Sequence, residues 1–220
     1  MTFLPRRALP RRALARRALT GGLLALAATP ALAQQAGSTV STDPRMSDRG
    51  LGSASAPVTV WEWFSLTCTH CAAFQRETFP RVKAELIDTG KLRYVWRDFP
   101  LDQVALTAAM VARALPEDRY EPFITSLLAT QDRWAYARGV NTTEELAKMA
   151  ALAGMSRATF NSTIADTGLR NAILAGQDTA DKTFGVNSTP TFIFDPLGAG
   201  KKSVPGAVSY DDFAKALPSA

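Results

Sequence analysis

The chain is poor in cysteine and nearly devoid of histidine, with two Cys and one His in 220 residues. Two cysteines do not make a disulfide scaffold in a chain of this size. They do not complete a four-ligand zinc site either, because no second Cys pair accompanies them. Acidic residues are absent from the first 33 positions, which hold arginine pairs at Arg6–Arg7, Arg11–Arg12 and Arg16–Arg17. A long apolar run is missing as well. The stretch Leu19–Ala28 is softened by Gly21 and Gly22, and it falls short of the about 20 residues that a membrane-spanning helix needs.

What the N-terminal segment does contain fits an export signal. A charged start and a short apolar centre lead to Ala31-Leu32-Ala33, small residues at the −3 and −1 positions of a cleavage site. Cleavage before Gln34 is expected, giving a signal peptide over 1–33 and a periplasmic mature protein; an uncleaved membrane anchor is the alternative. Arg16-Arg17-Ala18-Leu19 resembles a twin-arginine signal. No Ser or Thr precedes that pair and no Phe-Leu-Lys follows it, so the general secretory route is the expectation. The segment takes six Arg and no acid from totals of 25 basic and 20 acidic residues, leaving 19 against 20, or −1. The basic character of the whole chain therefore sits in the signal. The mature part offers no support for nucleic-acid binding.

Past the signal, residues 34–56 are rich in Ser, Gly, Ala, Thr and Asp and read as a mobile lead-in. Val58-Thr59-Val60-Trp61-Glu62-Trp63-Phe64 is β-branched and aromatic, as suits a buried strand. From Cys68 to about Asp88 the period turns helical, with Gly90 as a stop and Pro80 as a kink. Leu92–Arg97 alternates and predicts a second strand. From about 101 to 174 the pattern is helical throughout, with breaks near Pro116, at Gly139-Val140-Asn141 and at Gly154. Three or four helices are expected there, one capped by Asn141 or Thr142. A helix from Ile173 to Phe184 stops at Gly185. Strands at Thr191–Phe194 and Lys202–Val204 follow, then a helix opened by Ser209. This order is an α/β framework over 57–220 carrying an inserted helical domain.

Cys68-Thr69-His70-Cys71 follows a predicted strand and opens a predicted helix. In the first turn of a helix, residues three apart are close enough for a disulfide. Free N–H groups and the positive end of the helix dipole favour a thiolate at the first cysteine. His70, an imidazole between the two cysteines, would stabilise it further when protonated. A stabilised thiolate leaves easily and makes the disulfide form oxidising. A purely structural disulfide is the alternative, but so small a loop restrains the unfolded chain little. No metal and no cofactor beyond the cysteine pair is expected.

Glu62-Trp63-Phe64-Ser65-Leu66-Thr67-Cys68-Thr69-His70-Cys71, followed much later by Ser188-Thr189-Pro190-Thr191-Phe192, resembles the DsbA-like branch of the thioredoxin superfamily. Arg97-Asp98-Phe99-Pro100-Leu101 and the helical block fall at comparable places. The resemblance covers about residue 56 to the C-terminus. It implies a thioredoxin-like fold, with Cys68 as exposed nucleophile and Cys71 as its buried partner. Pro190 would be a cis-proline facing the disulfide, and the Thr189 backbone would pair with an extended substrate segment. Glu62 would be a buried acid with a raised pKa that relays a proton to Cys71. The best-known oxidases of the family carry Pro where this chain has Thr69, and many have Val where it has Thr189. The lead-in is too short for the dimerisation domain of periplasmic isomerases, which favours a monomer. The expected function is a dithiol oxidase acting on exported proteins that contain cysteines, with a membrane redox partner. A reductase or isomerase, or a redox-silent chaperone or binding module, are the competing readings.

Overall fold

The computed structural model describes residues 42–197 and 200–217. The expected signal peptide lies outside them. Among the described residues no helix is long and apolar enough to cross a membrane.

The central strand β2, Val58–Phe64, forms where Val, Trp and Phe recur at short spacing. Side chains alternate between the two faces of a strand. Val58, Val60 and Phe64 therefore enter one apolar cluster, while Trp63 enters another with Phe99, Ala180, Val186 and Ile193. Glu62 shares the parity of Val60 and Phe64, and is carried into the larger core. β2 pairs in parallel with β3, Arg93–Asp98, and antiparallel with β4, Thr191–Pro196. β5, Lys202–Pro205, closes the far edge, antiparallel to β4.

The expectation of a mobile lead-in over 34–56 fails for its later part. Pro44–Met46 is a single 3-10 turn, and Arg49–Leu51 is a strand, β1, antiparallel to β3. The sheet order is β1-β3-β2-β4-β5. Composition hid this strand because its glycine is what lets it fit. A Cβ on Gly50 would come within 2.4 Å of the Tyr94 carbonyl oxygen.

One face of the sheet is covered by α1, Thr69–Glu77, α2, Phe79–Val82, and the C-terminal α9, Tyr210–Lys215. Their aromatic rings interlock with those of the strands: Phe74 lies 4.5 Å from Phe192 between centroids, and Phe213 lies 5.0 Å from Phe194. Each fully buried ring contributes about 2–3 kcal/mol by removal from water. Pro80 breaks the helix as expected, and sits in the first turn of α2, where its missing N–H costs nothing. Residues Lys83–Ile87 then widen into a π-helical turn closed by Asp88 N–H on Lys83 O at 2.8 Å.

The helical insertion is more finely divided than the sequence suggests. It comprises α3, Gln103–Ala114; α4, Glu117–Ala129; α5, Gln131–Trp134; α6, Thr142–Leu152; and α7, Arg157–Ile164. The break between α4 and α5 at Thr130 involves neither Gly nor Pro, so no punctuation announced it. Asn141 caps α6, as expected. The long α8 starts at Thr167 rather than Ile173, capped by Asp166, and ends at Gly185 with φ +65°. That left-handed residue is the stop a glycine supplies at low cost.

Arg113 and Asp98 form a buried ion pair at 2.6 Å between α3 and the end of β3. The same guanidinium donates to Ser47 O at 2.8 Å and Trp96 O at 3.3 Å. It thereby ties the segment before β1 to the sheet.

Candidate active site

β2 ends at Phe64, and the chain turns through Ser65-Leu66-Thr67 into α1. Cys68 is the residue that caps this helix. Its sulfur accepts from the Cys71 backbone N–H at 3.4 Å. The first turn thus points a free amide at the first sulfur, as the spacing of the motif implies.

Both cysteines are present as thiols. Cys71 is fully enclosed, while Cys68 keeps only 6% of its surface exposed. The expected exposed nucleophile is therefore the more accessible of the two, but a mostly covered one. The cover includes the loop before β4. The Thr189–Pro190 bond is cis, and the Cys68 thiol donates to Thr189 O at 3.3 Å. The Thr189 hydroxyl is buried without a hydrogen-bond partner, and the Thr189 side chain contributes to lowering the Cys68 pKa. Gly206, the residue after β5, donates its N–H to Pro190 O at 2.7 Å.

The two thiols are pushed in opposite directions. Donation from the Cys71 thiol, helped by Thr189 and by the amides of Cys71 and His70, outweighs burial and brings the Cys68 pKa down to about 5. Burial drives the Cys71 thiol well above its ordinary value, and the nearby Glu62 carboxylate adds to this. His70 and Thr69 are exposed. What His70 gives Cys68 is its backbone N–H.

Glu62 stands on β2 with 2% of its surface exposed. Burial raises its pKa to about 8, against the lowering effect of a hydrogen bond from the Tyr94 hydroxyl at 2.8 Å. Tyr94 escaped the sequence reading, although a signal existed. Tyr94 and Trp96 alternate on β3, and Glu62 pairs with Trp96, so Tyr94 and Glu62 share a face. Trp96 and Trp63 are core residues, and Trp61 lies half-buried against Phe184 and Lys201.

Cys68, Cys71, Glu62, Thr189 and Pro190 are thus brought to one end of the central strands. No cluster of three or more His, Cys, Asp or Glu able to hold a metal exists among the described residues. A dithiol at a helix N-terminus, opposite a cis-proline and above a buried acid, defines a thioredoxin-fold thiol protein.

Comparison with known proteins agrees. The thioredoxin family model matches residues 45–218. A protein of Rickettsia conorii named as a protein-disulfide oxidoreductase is 30% identical over 71% of this chain and 56% of its own length. Its Rickettsia typhi counterpart is 31% identical over 71% and 58%. The chain spans little more than half the length of these curated relatives. Among solved structures, Wolbachia pipientis alpha-DsbA1 superposes with a TM-score of 0.70 at 31% identity, covering 77% of this chain and 88% of that one. Oxidised BdbD from Bacillus subtilis shares the fold, with a TM-score of 0.66 at 20% identity over 76% and 89%. The chain belongs to the thioredoxin family, in its DsbA-like branch.

Proposed function

We propose that this chain is an exported protein-disulfide oxidoreductase that works in the periplasm as a dithiol oxidase. The observation that carries this reading is the Cys68 sulfur at the cap of α1, facing the Cys71 amide at 3.4 Å. A sulfur so placed is stable as a thiolate, which favours the reduced enzyme and makes its disulfide a strong acceptor.

The reaction is an exchange of bonds. A substrate thiolate attacks the Cys68 sulfur of the Cys68–Cys71 disulfide. A substrate–Cys68 bond forms, and the Cys68–Cys71 bond breaks. Cys71 departs with the electron pair and takes a proton from Glu62, which is mostly protonated at neutral pH with a pKa of about 8. A second substrate thiolate then attacks the substrate sulfur of the mixed disulfide and releases Cys68 as thiolate. Two electrons have passed from two substrate thiols to the enzyme disulfide. When the pair is reoxidised, the Cys71 thiol returns its proton to the Glu62 carboxylate.

The substrates in this reading are exported proteins with cysteines, acting on a monomer, with the Thr189 backbone available to an extended segment. A membrane redox partner would take the electrons onward. The test is the reduction potential of the mature protein in glutathione buffers. A value near that of DsbA, about −120 mV, supports the oxidase. A value near that of thioredoxin, about −270 mV, would reverse the direction and make the protein a reductase.

A further inference from the structure

Three successive backbone carbonyls lead into α1, and each is held by a side chain of the helical insertion. Gln131 Nε2 donates to Leu66 O at 2.9 Å and to Cys68 O at 3.0 Å. The Tyr136 hydroxyl donates to Thr67 O, between them. The Thr67 side chain is fixed in turn, donating to Asp102 Oδ2 at 2.7 Å. Asp102 is itself the cap of α3, accepting from Ala105 N–H at 2.7 Å. Gln131 is buried at 6% exposure, in the short helix α5. Its amide therefore serves the nucleophile loop from a site 63 residues away from Cys68 in the chain.

A carbonyl oxygen is the negative end of the peptide dipole. Turned toward the Cys68 sulfur, any of these three would oppose negative charge there. The Cys68 carbonyl has a further duty, since it accepts from Ala72 N–H at 3.1 Å and starts the helix. The amides that face the sulfur, those of His70 and Cys71, belong to α1, while the three carbonyls that precede it are engaged by Gln131 and Tyr136. Neither donor comes from the strand–helix unit that carries the cysteines.

We propose that Gln131 and Tyr136 are positioning residues for the dithiol: through them the helical insertion holds the Leu66–Cys68 carbonyls off the reactive sulfur and sets the exchange equilibrium of the pair. This rests on Cys68 being the reactive thiolate. Gln131 loses both bonds in Gln131→Met, which keeps the length and bulk of the side chain. Tyr136→Phe removes one hydroxyl from a ring that is 53% exposed, and leaves the fold intact.

The experiment compares both variants with the unaltered protein in three measurements: glutathione equilibrium, ultraviolet thiolate titration, and denaturation of the oxidised and reduced forms. Tyr136→Phe is expected to shift the glutathione equilibrium about fivefold toward the disulfide, the effect of one ordinary hydrogen bond, and Gln131→Met, which loses two, by more. The thiolate midpoint rises in step, and the reduced form loses more stability than the oxidised form. Equal loss in both forms with an unchanged equilibrium would mean a merely structural role and overturn the proposal. If Gln131→Met does not fold, Tyr136→Phe decides alone. A depressed midpoint in the unaltered protein with no shift in either variant defeats this inference only. An ordinary thiol midpoint in the unaltered protein defeats the reading of Cys68 and this inference with it.

Discussion

The Tyr94 hydroxyl donates to Glu62 Oε2 at 2.8 Å, with both side chains closed off from water and Glu62 in electrostatic reach of Cys71. A carboxyl so enclosed keeps its proton at neutral pH. In the proposed cycle this proton would stand beside the thiol that leaves during disulfide cleavage.

This arrangement predicts that the two redox forms respond differently to pH. Glu62 ionises near 8 in the fold instead of 4.5. The folded chain then holds a proton that the unfolded chain has lost. The resulting stabilisation is full below 4.5 and gone above about 8, declining at about 1.4 kcal/mol per pH unit between. Cys68 acts in the opposite sense, its pKa falling from 9.0 to about 5. In the reduced protein its stabilisation is full above the unfolded value and lost as pH falls through the folded one. The disulfide form has no such thiol. Denaturant unfolding is expected to show the oxidised protein weakening across that window while the reduced protein stays nearly flat. Parallel decline of both forms would contradict the assigned shifts.

Glu62→Gln removes the proton donor without changing shape. Attack on the enzyme disulfide is expected to slow by about a hundredfold or more near neutrality, the scale of general acid catalysis. After correction for substrate thiolate, the rate of the unaltered protein should fall as pH passes about 8. The variant should show no such fall. Stopped-flow formation of the mixed disulfide reads both, and a matching decline in the variant would remove Glu62 from the mechanism.

The cysteines should separate cleanly in function. Given a disulfide-bearing substrate, Cys71→Ser is expected to attack it through the Cys68 thiolate, release one substrate thiolate and accumulate the mixed disulfide, visible by mass spectrometry under non-reducing conditions. Cys68→Ser should trap nothing and lose thiol oxidation altogether. Thiol oxidation retained in Cys68→Ser would overturn the assignment of Cys68 as the nucleophile.

Asp98→Asn leaves the Arg113 guanidinium buried without its counter-charge. Breaking one side of a buried pair costs about 3–5 kcal/mol. Because the pair joins α3 to β3 and neither partner is among the groups that shift the Cys68 pKa, both redox forms should lose stability equally. Urea midpoints of the two forms measure this, and a loss confined to one form would tie the pair to the dithiol.

The framework was readable because its signals are local. β2 announces itself by Val, Trp and Phe, and α1 by the switch of period after Cys68. Gly185 marks the end of α8 by an intrinsic preference for positive φ. The cysteine pair was readable as a motif, while Pro190 and Glu62 came only through the resemblance to the DsbA-like family, because a cis bond and the burial of a strand residue are set by the fold. What stayed hidden depends on distant partners. β1 is a strand because Tyr94 and its neighbours offer an edge, not because Arg49-Gly50-Leu51 prefers extension. Gln131 looks like any polar helix residue until the fold sets its amide against two carbonyls. The short α5 has no periodicity of its own to detect.

Both edges of the sheet are short, three residues in β1 and four in β5. β5 carries Lys202 and ends on Pro205, residues that discourage another chain from adding alongside. A protein that handles unfolded clients meets many extended, sticky segments. Short edges with a cation and a proline offer such segments little template for amyloid-like stacking; under the proposed function, an extended client would then be received by the backbone beside Thr189 and not along an edge.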